Sequence, residues 1–235
     1  MAPNSRQDLT ERSNRCRTDL WYVGGIVGWN SGEVSGWIVR DSLISGKSNF
    51  TGGIVGNNVA NSSLTGCQFI NSSVEGLNYG GGIAGANDGE ISNCFVSGKK
   101  SDKSHTVYGG SNLGGIAGSM QGTITGSTVS GASIFGDTGG YDINAGGIVG
   151  EMTSGNVSGC TVTETQIKIR ANSGGIVGKV SQSGCFISNC VSEDSVTVYV
   201  RGDFSTSAGP IVGDNYTTLP AWIEKCTGNA VIETY

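Results

Sequence analysis

The chain has 235 residues, 41 of them glycine and 3 proline, with 14% charged side chains, a balance that fits neither a charged disordered tail nor a proline-rich linker. A net charge of −5, with no Lys/Arg cluster set among aromatics, argues against a nucleic-acid partner. No apolar run reaches the ~20 residues that membrane insertion needs. The 36% hydrophobic content suits a thin core lined by many short strands.

Residues 1–23 read as an N-terminal tail or cap, or as a segment used in assembly. Arg6, Arg12, Arg15 and Arg17 stand there against Asp8, Glu11 and Asp19, slightly positive beside an acidic body. The opening Met1-Ala2-Pro3 lacks a signal peptide's apolar stretch, so an export signal is not expected within this chain.

From Gly24 onward one pattern organises everything. Gly-Gly-Ile-(Val/Ala)-Gly begins at Gly24, Gly52, Gly81, Gly114, Gly146 and Gly174, with Gly-Pro-Ile-Val-Gly at Gly209; successive starts lie 28, 29, 33, 32, 28 and 35 residues apart. Near-regular spacing makes residues 24–235 a single stacked array with length variation confined to loops. A second column places an aliphatic residue three positions before a small one: Leu64/Cys67, Ile91/Cys94, Ile124/Ser127, Val157/Cys160, Ile187/Cys190 and Ile223/Cys226, with Val34/Trp37 in the first unit. Two positions further, Phe69, Val96, Val129 and Val162 are apolar again; seven further, Ile44, Val74, Ile134 and Ile167 open another apolar stretch.

Recurrent glycine and the lack of a 3.6-residue apolar period exclude helices. A seven-bladed propeller would need four strands and typically ~40 residues per unit. The expected fold is therefore all-β: a single-domain parallel β-solenoid of about seven coils, with three short strands per coil. The box glycines have two possible uses, a positive φ or close approach of neighbouring backbone, with the Ile between them pointing inward. Pro210 removes a backbone donor in the last unit, where the array is expected to end.

The box, followed by x-Gly-x-Ile-x-x-Cys-x-Val as in residues 81–96 and 146–162, resembles the GLUG repeat of microbial surface proteins. That resemblance covers residues 24–235. It implies a scaffold repeat of secreted, adhesin-like proteins and implies no particular activity.

Cys67, Cys94, Cys160, Cys190 and Cys226 share a column and are expected to stack as an interior ladder of small buried residues. Neighbours in it fall within disulfide range but with strained dihedrals. Cys16 and Cys185 lie off the column and are the better disulfide candidates. No cofactor is expected, and with no Cys-x-x-Cys pair or His cluster a zinc site is not either. His105, the sole histidine, sits in a loop that reads as solvated. Asp88/Glu90 and Glu193/Asp194 are too close in sequence to set paired acids across a cleft, and Arg201-Gly202-Asp203 reads as a plain surface turn. Thr-x-Thr occurs only at Thr123–Thr125 and Thr161–Thr163, too seldom for an ice-binding face.

Five Asn-x-Ser/Thr sequons, Asn49, Asn61, Asn71, Asn156 and Asn215, are N-glycosylation candidates and point to an extracellular, secreted or cell-surface location. Trp21, Trp29 and Trp37 are expected to plug the first coil, while Ile232 and Tyr235 lie in an uncapped strand at the other end, an open edge for assembly. Together these features predict a non-enzymatic structural or adhesive repeat protein. Its expected partners are itself, end to end in a filament, and surface glycans or other host-cell molecules. The alternative is a carbohydrate-binding or carbohydrate-active β-helix.

Overall fold

A computed structural model describes residues 8–10, 21–46, 49–98, 105–136, 143–200, 207–215 and 221–234. These residues are all-β and wind into a parallel β-solenoid of about seven coils, stacked as one 8-stranded and four 7-stranded ladders. The first ladder runs through Tyr22–Gly24, Phe50–Gly52, Tyr79–Gly81, Asn112–Gly114, Asn144–Gly146, Asn172–Gly174 and Ala208–Gly209. In the first coil the second to fifth ladders begin at Val27–Asn30, Glu33–Ser35, Ile38–Arg40 and Leu43–Ser45. The three strands expected from the apolar columns are the third, fourth and fifth; the glycine box supplies the first two.

The inward side chains follow the columns. Ile91 and Ile124 of the third ladder, Val96 and Val129 of the fourth, and Val74 and Ile134 of the fifth are fully buried. Register stays in phase across insertions: Val107 pairs with Val74 and Ile134 although the chain between Phe95–Ser97 and Val107–Gly109 is longer than the matching segment of other coils. Each strand is only two to four residues long, so its stability comes from stacking on neighbours and not from its own length.

Two turns per coil use the same device. Gly36, Gly66, Asn93, Gly126, Gly159, Asn189 and Lys225 hold φ between 52° and 69° at the corner between the third and fourth ladders. Only a left-handed residue reverses the chain so tightly, and Gly and Asn adopt that region at least cost. The next residue then folds its side chain back on the carbonyl two positions earlier. Ser127 Oγ donates to Thr125 O at 3.1 Å, and Cys160 Sγ donates to Ser158 O at 3.4 Å. This is why the column demands a small side chain with a donor. At the following corner Asp41, Asn71, Gly131 and Glu164 are left-handed, and Ser72 and Thr165 bond back in the same way at 2.8 Å.

The box glycines do not use positive φ. They let the first and second ladders touch backbone to backbone: a Cβ on Gly118 would lie 2.8 Å from Gly80 N and 2.8 Å from Gly85 O. Ile54, Ile83, Ile116, Ile148 and Ile176, between those strands, are fully buried as expected.

At the first coil, Asp8–Thr10 pairs in parallel with Ile38–Arg40 of the same chain, so part of the N-terminal segment covers the edge of the fourth ladder. The expected tryptophan plug is not formed. Trp21 and Trp29 are 67% and 52% exposed, and only Trp37 packs against the core. The inward place at the end of the second-ladder strand belongs instead to Asn30. Its Nδ2 donates to Asn58 Oδ1 at 2.8 Å, and Asn58 Nδ2 donates to Asn87 Oδ1 at 2.8 Å. Each amide in this ladder satisfies its neighbour, which makes burial of a polar group tolerable.

Candidate functional site

The outer face of the third ladder combines a regular polar column with exposed aromatic rings. Alternation along each strand sends one aliphatic residue inward and the two flanking residues outward. One outward column reads Ser35, Thr65, Ser92, Thr125, Ser158 and Ser188 in register, a hydroxyl in six successive coils. Thr65 Oγ1 and Ser92 Oγ hydrogen-bond at 3.2 Å across one step. The other outward column carries Thr123, Asn156, Phe186 and Trp222 in successive register. Phe186 is 50% and Trp222 65% exposed, large apolar surfaces on an otherwise polar face. Beside the second ring Glu224 pairs with Lys225 Nζ at 2.8 Å. Lys225, with a smaller share from the Trp222 indole, holds the Glu224 carboxylate below its ordinary range.

Phe186 and Trp222 are not legible as a pair in the sequence, because 36 residues separate them and only the coil brings them into register. Two polar ladders do carry a legible signal: Asn30, Asn58 and Asn87 recur six residues after the first three box starts, and Asn112, Asn144 and Asn172 two residues before the next three. The latter column is amide-bonded at 2.7 and 2.9 Å and ends on Glu151, to which Asn112 donates at 2.7 Å. In the earlier coils the same column is aromatic, with Tyr22, Phe50 and Tyr79 stacked at 5.2 and 4.6 Å.

Cys67, Cys94, Cys160 and Cys190 stack inside as expected, and Cys226 is half-buried at the last coil; all five are free thiols. A hydrogen bond from Cys94 holds Cys67 down at about 7, and the same contact, with burial, pushes Cys94 well up. Cys160 is likewise lowered by its contact with Cys190, which is raised. Cys185 is no disulfide partner here: its thiol is free and buried, pushed up to about 11 by desolvation, and it donates to Gln182 O at 3.3 Å. Cys16, Arg201-Gly202-Asp203 and Tyr235 lie outside the described residues, while Ile232 is 41% exposed.

Of the sequons, Asn61 is exposed on a left-handed turn, and Asn215 is exposed in its strand. Asn49 accepts from Asn78 at 2.7 Å, Asn71 donates to Asp41, and Asn156 faces outward with its Oδ1 buried. His105 is half-buried. Its ring stacks on Phe135 at 4.4 Å and its Nδ1 meets Ser133 Oγ at 3.2 Å; desolvation lowers its pKa against an opposing pull from Glu75. His105 stands beside the fifth-ladder strand Val107–Gly109, a placement its polar neighbours in the sequence do not signal.

Asp88 and Glu90 line one cleft of about 510 Å³ with Asn61, Ser62 and Thr123. The longer 59–62 turn of the preceding coil builds its wall. Both carboxylates nonetheless come from one coil, two residues apart, and burial raises Asp88. Among the described residues no three His, Cys, Asp or Glu side chains converge as a metal site. No family model, curated protein or solved structure matches this chain.

Proposed function

We propose that the chain is an extracellular structural and adhesive β-solenoid of the GLUG-repeat type, and that it contacts surface glycans through the outer face of its third ladder. One observation carries the reading: a hydroxyl column repeated through six coils leads to the exposed Phe186 and Trp222. Hydroxyls spaced ~4.8 Å apart offer many weak, identical hydrogen bonds to a repetitive polymer. Exposed aromatic rings add apolar area and an electron-rich face for the C–H side of a pyranose. The exposed sequons Asn61 and Asn215 support the extracellular assignment.

A carbohydrate-cleaving role is less well supported, because acids that act on opposite sides of a glycosidic bond must face each other across ~5 Å or more, whereas Asp88 and Glu90 leave the same strand region. A filament joined through the N-terminal segment is also less favoured, since Asp8–Thr10 already pairs with its own coil. Binding to immobilised polysaccharides and a glycan array tests the proposal. Phe186→Ala with Trp222→Ala should weaken retention about tenfold or more, on the scale of one to two aromatic contacts, with an unchanged circular dichroism spectrum. Equal retention by the double variant overturns the assignment of this face; sugar release lost on Asp88→Asn overturns the scaffold reading.

A further inference from the structure

We propose that Cys190 and Cys226 are a redox-closable pair, joined by a disulfide between the last two coils when the protein meets a small disulfide oxidant such as oxidised glutathione. Ile187 pairs with Ile223 and Val191 with Thr227, so the two cysteines occupy one rung of the stack. Thr227 N donates to Cys190 O at 2.9 Å. In-register parallel residues place their Cα atoms about 4.8 Å apart, inside the range a disulfide spans. Cys190 Sγ donates to Ser188 O at 3.3 Å and Cys226 Sγ to Glu224 O at 3.5 Å, so both side chains turn the same way along the stack.

What separates this pair from the other stacked thiols is access. Cys67, Cys94 and Cys160 are fully buried, as is Cys190, whereas Cys226 is partly exposed at the final coil. A bulky oxidant therefore reaches Cys226 first. The Cys226 thiolate attacks one sulfur of oxidised glutathione, the S–S bond breaks, and one glutathione thiolate leaves. Cys190, losing its proton to water, then attacks Cys226 Sγ in the mixed disulfide and expels the second glutathione. Two protein thiols are oxidised and one disulfide is reduced. Contact with Cys160 and burial raise the Cys190 thiol, and burial raises Cys226, which makes closure slow at neutral pH and faster as pH rises.

Phe186 and Trp222 each lie four residues before one of these cysteines. The staple would therefore lock the register of the two exposed rings, giving an oxidising environment a direct hold on that face. The pairing itself does not depend on the adhesive reading, since its readout is a cross-link and not binding.

The folded full-length chain is incubated with oxidised glutathione at pH 8, quenched with acid, and mapped by non-reducing peptide mass spectrometry. A Cys190–Cys226 cross-linked peptide is expected to dominate, with a raised melting temperature that dithiothreitol reverses. Cys190→Ser should instead trap a stable glutathione adduct on Cys226, and Cys67→Ser should leave the cross-link intact. Serine is compatible with the column, because Ser127 already occupies it. A glutathione adduct on Cys226 without cross-link in the unaltered chain, oxidation of Cys67–Cys94 to the same extent, or a cross-link formed only in denaturant would each overturn the proposal.

Discussion

Replacing Gly118 by alanine tests the close approach of the first and second ladders. The added Cβ would sit 2.8 Å from Gly80 N, 2.8 Å from Gly85 O and 2.9 Å from Asn112 O. All three are backbone atoms within strands of the stack, so no side chain can rotate away. Ordinary contact needs about 3.4 Å or more, and the strands must part by about half an ångström. Overpacking of this kind costs about 1–3 kcal/mol, and one or two loosened ladder hydrogen bonds add about 1 kcal/mol each. We expect a loss of about 3 kcal/mol, or a melting temperature lower by about 6–12 °C for a chain of this size.

Two controls separate sterics from backbone conformation. Gly66 has open space but φ +62°, so its alanine variant should lose only about 1–2 kcal/mol. Gly32 has neither constraint, and Gly32→Ala should be neutral or slightly stabilising. Thermal and denaturant unfolding of the three variants decides the matter. If Gly118→Ala costs no more than Gly66→Ala, the backbone-to-backbone contact is not what the box glycines secure.

Ile124→Asp buries an unpaired carboxylate at a site with no exposure and should cost about 4 kcal/mol or more, whereas Thr128→Asp on the outer face should stay within about 0.5 kcal/mol; equal melting shifts would refute the register. His105 has a folded-state pKa below its unfolded value, so the unfolded chain binds the extra proton first. The histidine's contribution is therefore complete above the unfolded value of about 6.5 and is lost as pH falls below it. His105→Phe should flatten that part of the stability-versus-pH curve, and an unchanged curve would show that folding does not shift the titration of His105.

The sequence by itself determined the stack. A box recurring at 28 to 35 residues puts like residues at like places in every coil, so Ile91, Val96 and Ile134 could be assigned inward from their offsets alone. The cysteine column was equally legible, because it depends on a local turn whose left-handed Gly or Asn precedes it in the chain. What the tertiary structure alone decided are features that need a partner one coil away. Hydrophobicity would bury Trp29 and expose Asn30, yet Asn30 is inside because Asn58 is there to accept its amide proton, while Trp29 is left outside against Tyr22. The two uses open to the box glycines were resolved only by the distance between two backbones. The candidate surface follows the same rule. Phe186 and Trp222 become neighbours, and Cys226 the accessible end of a buried thiol row, through coil-to-coil register and exposure at the last rung. Neither property is local to any segment of the chain.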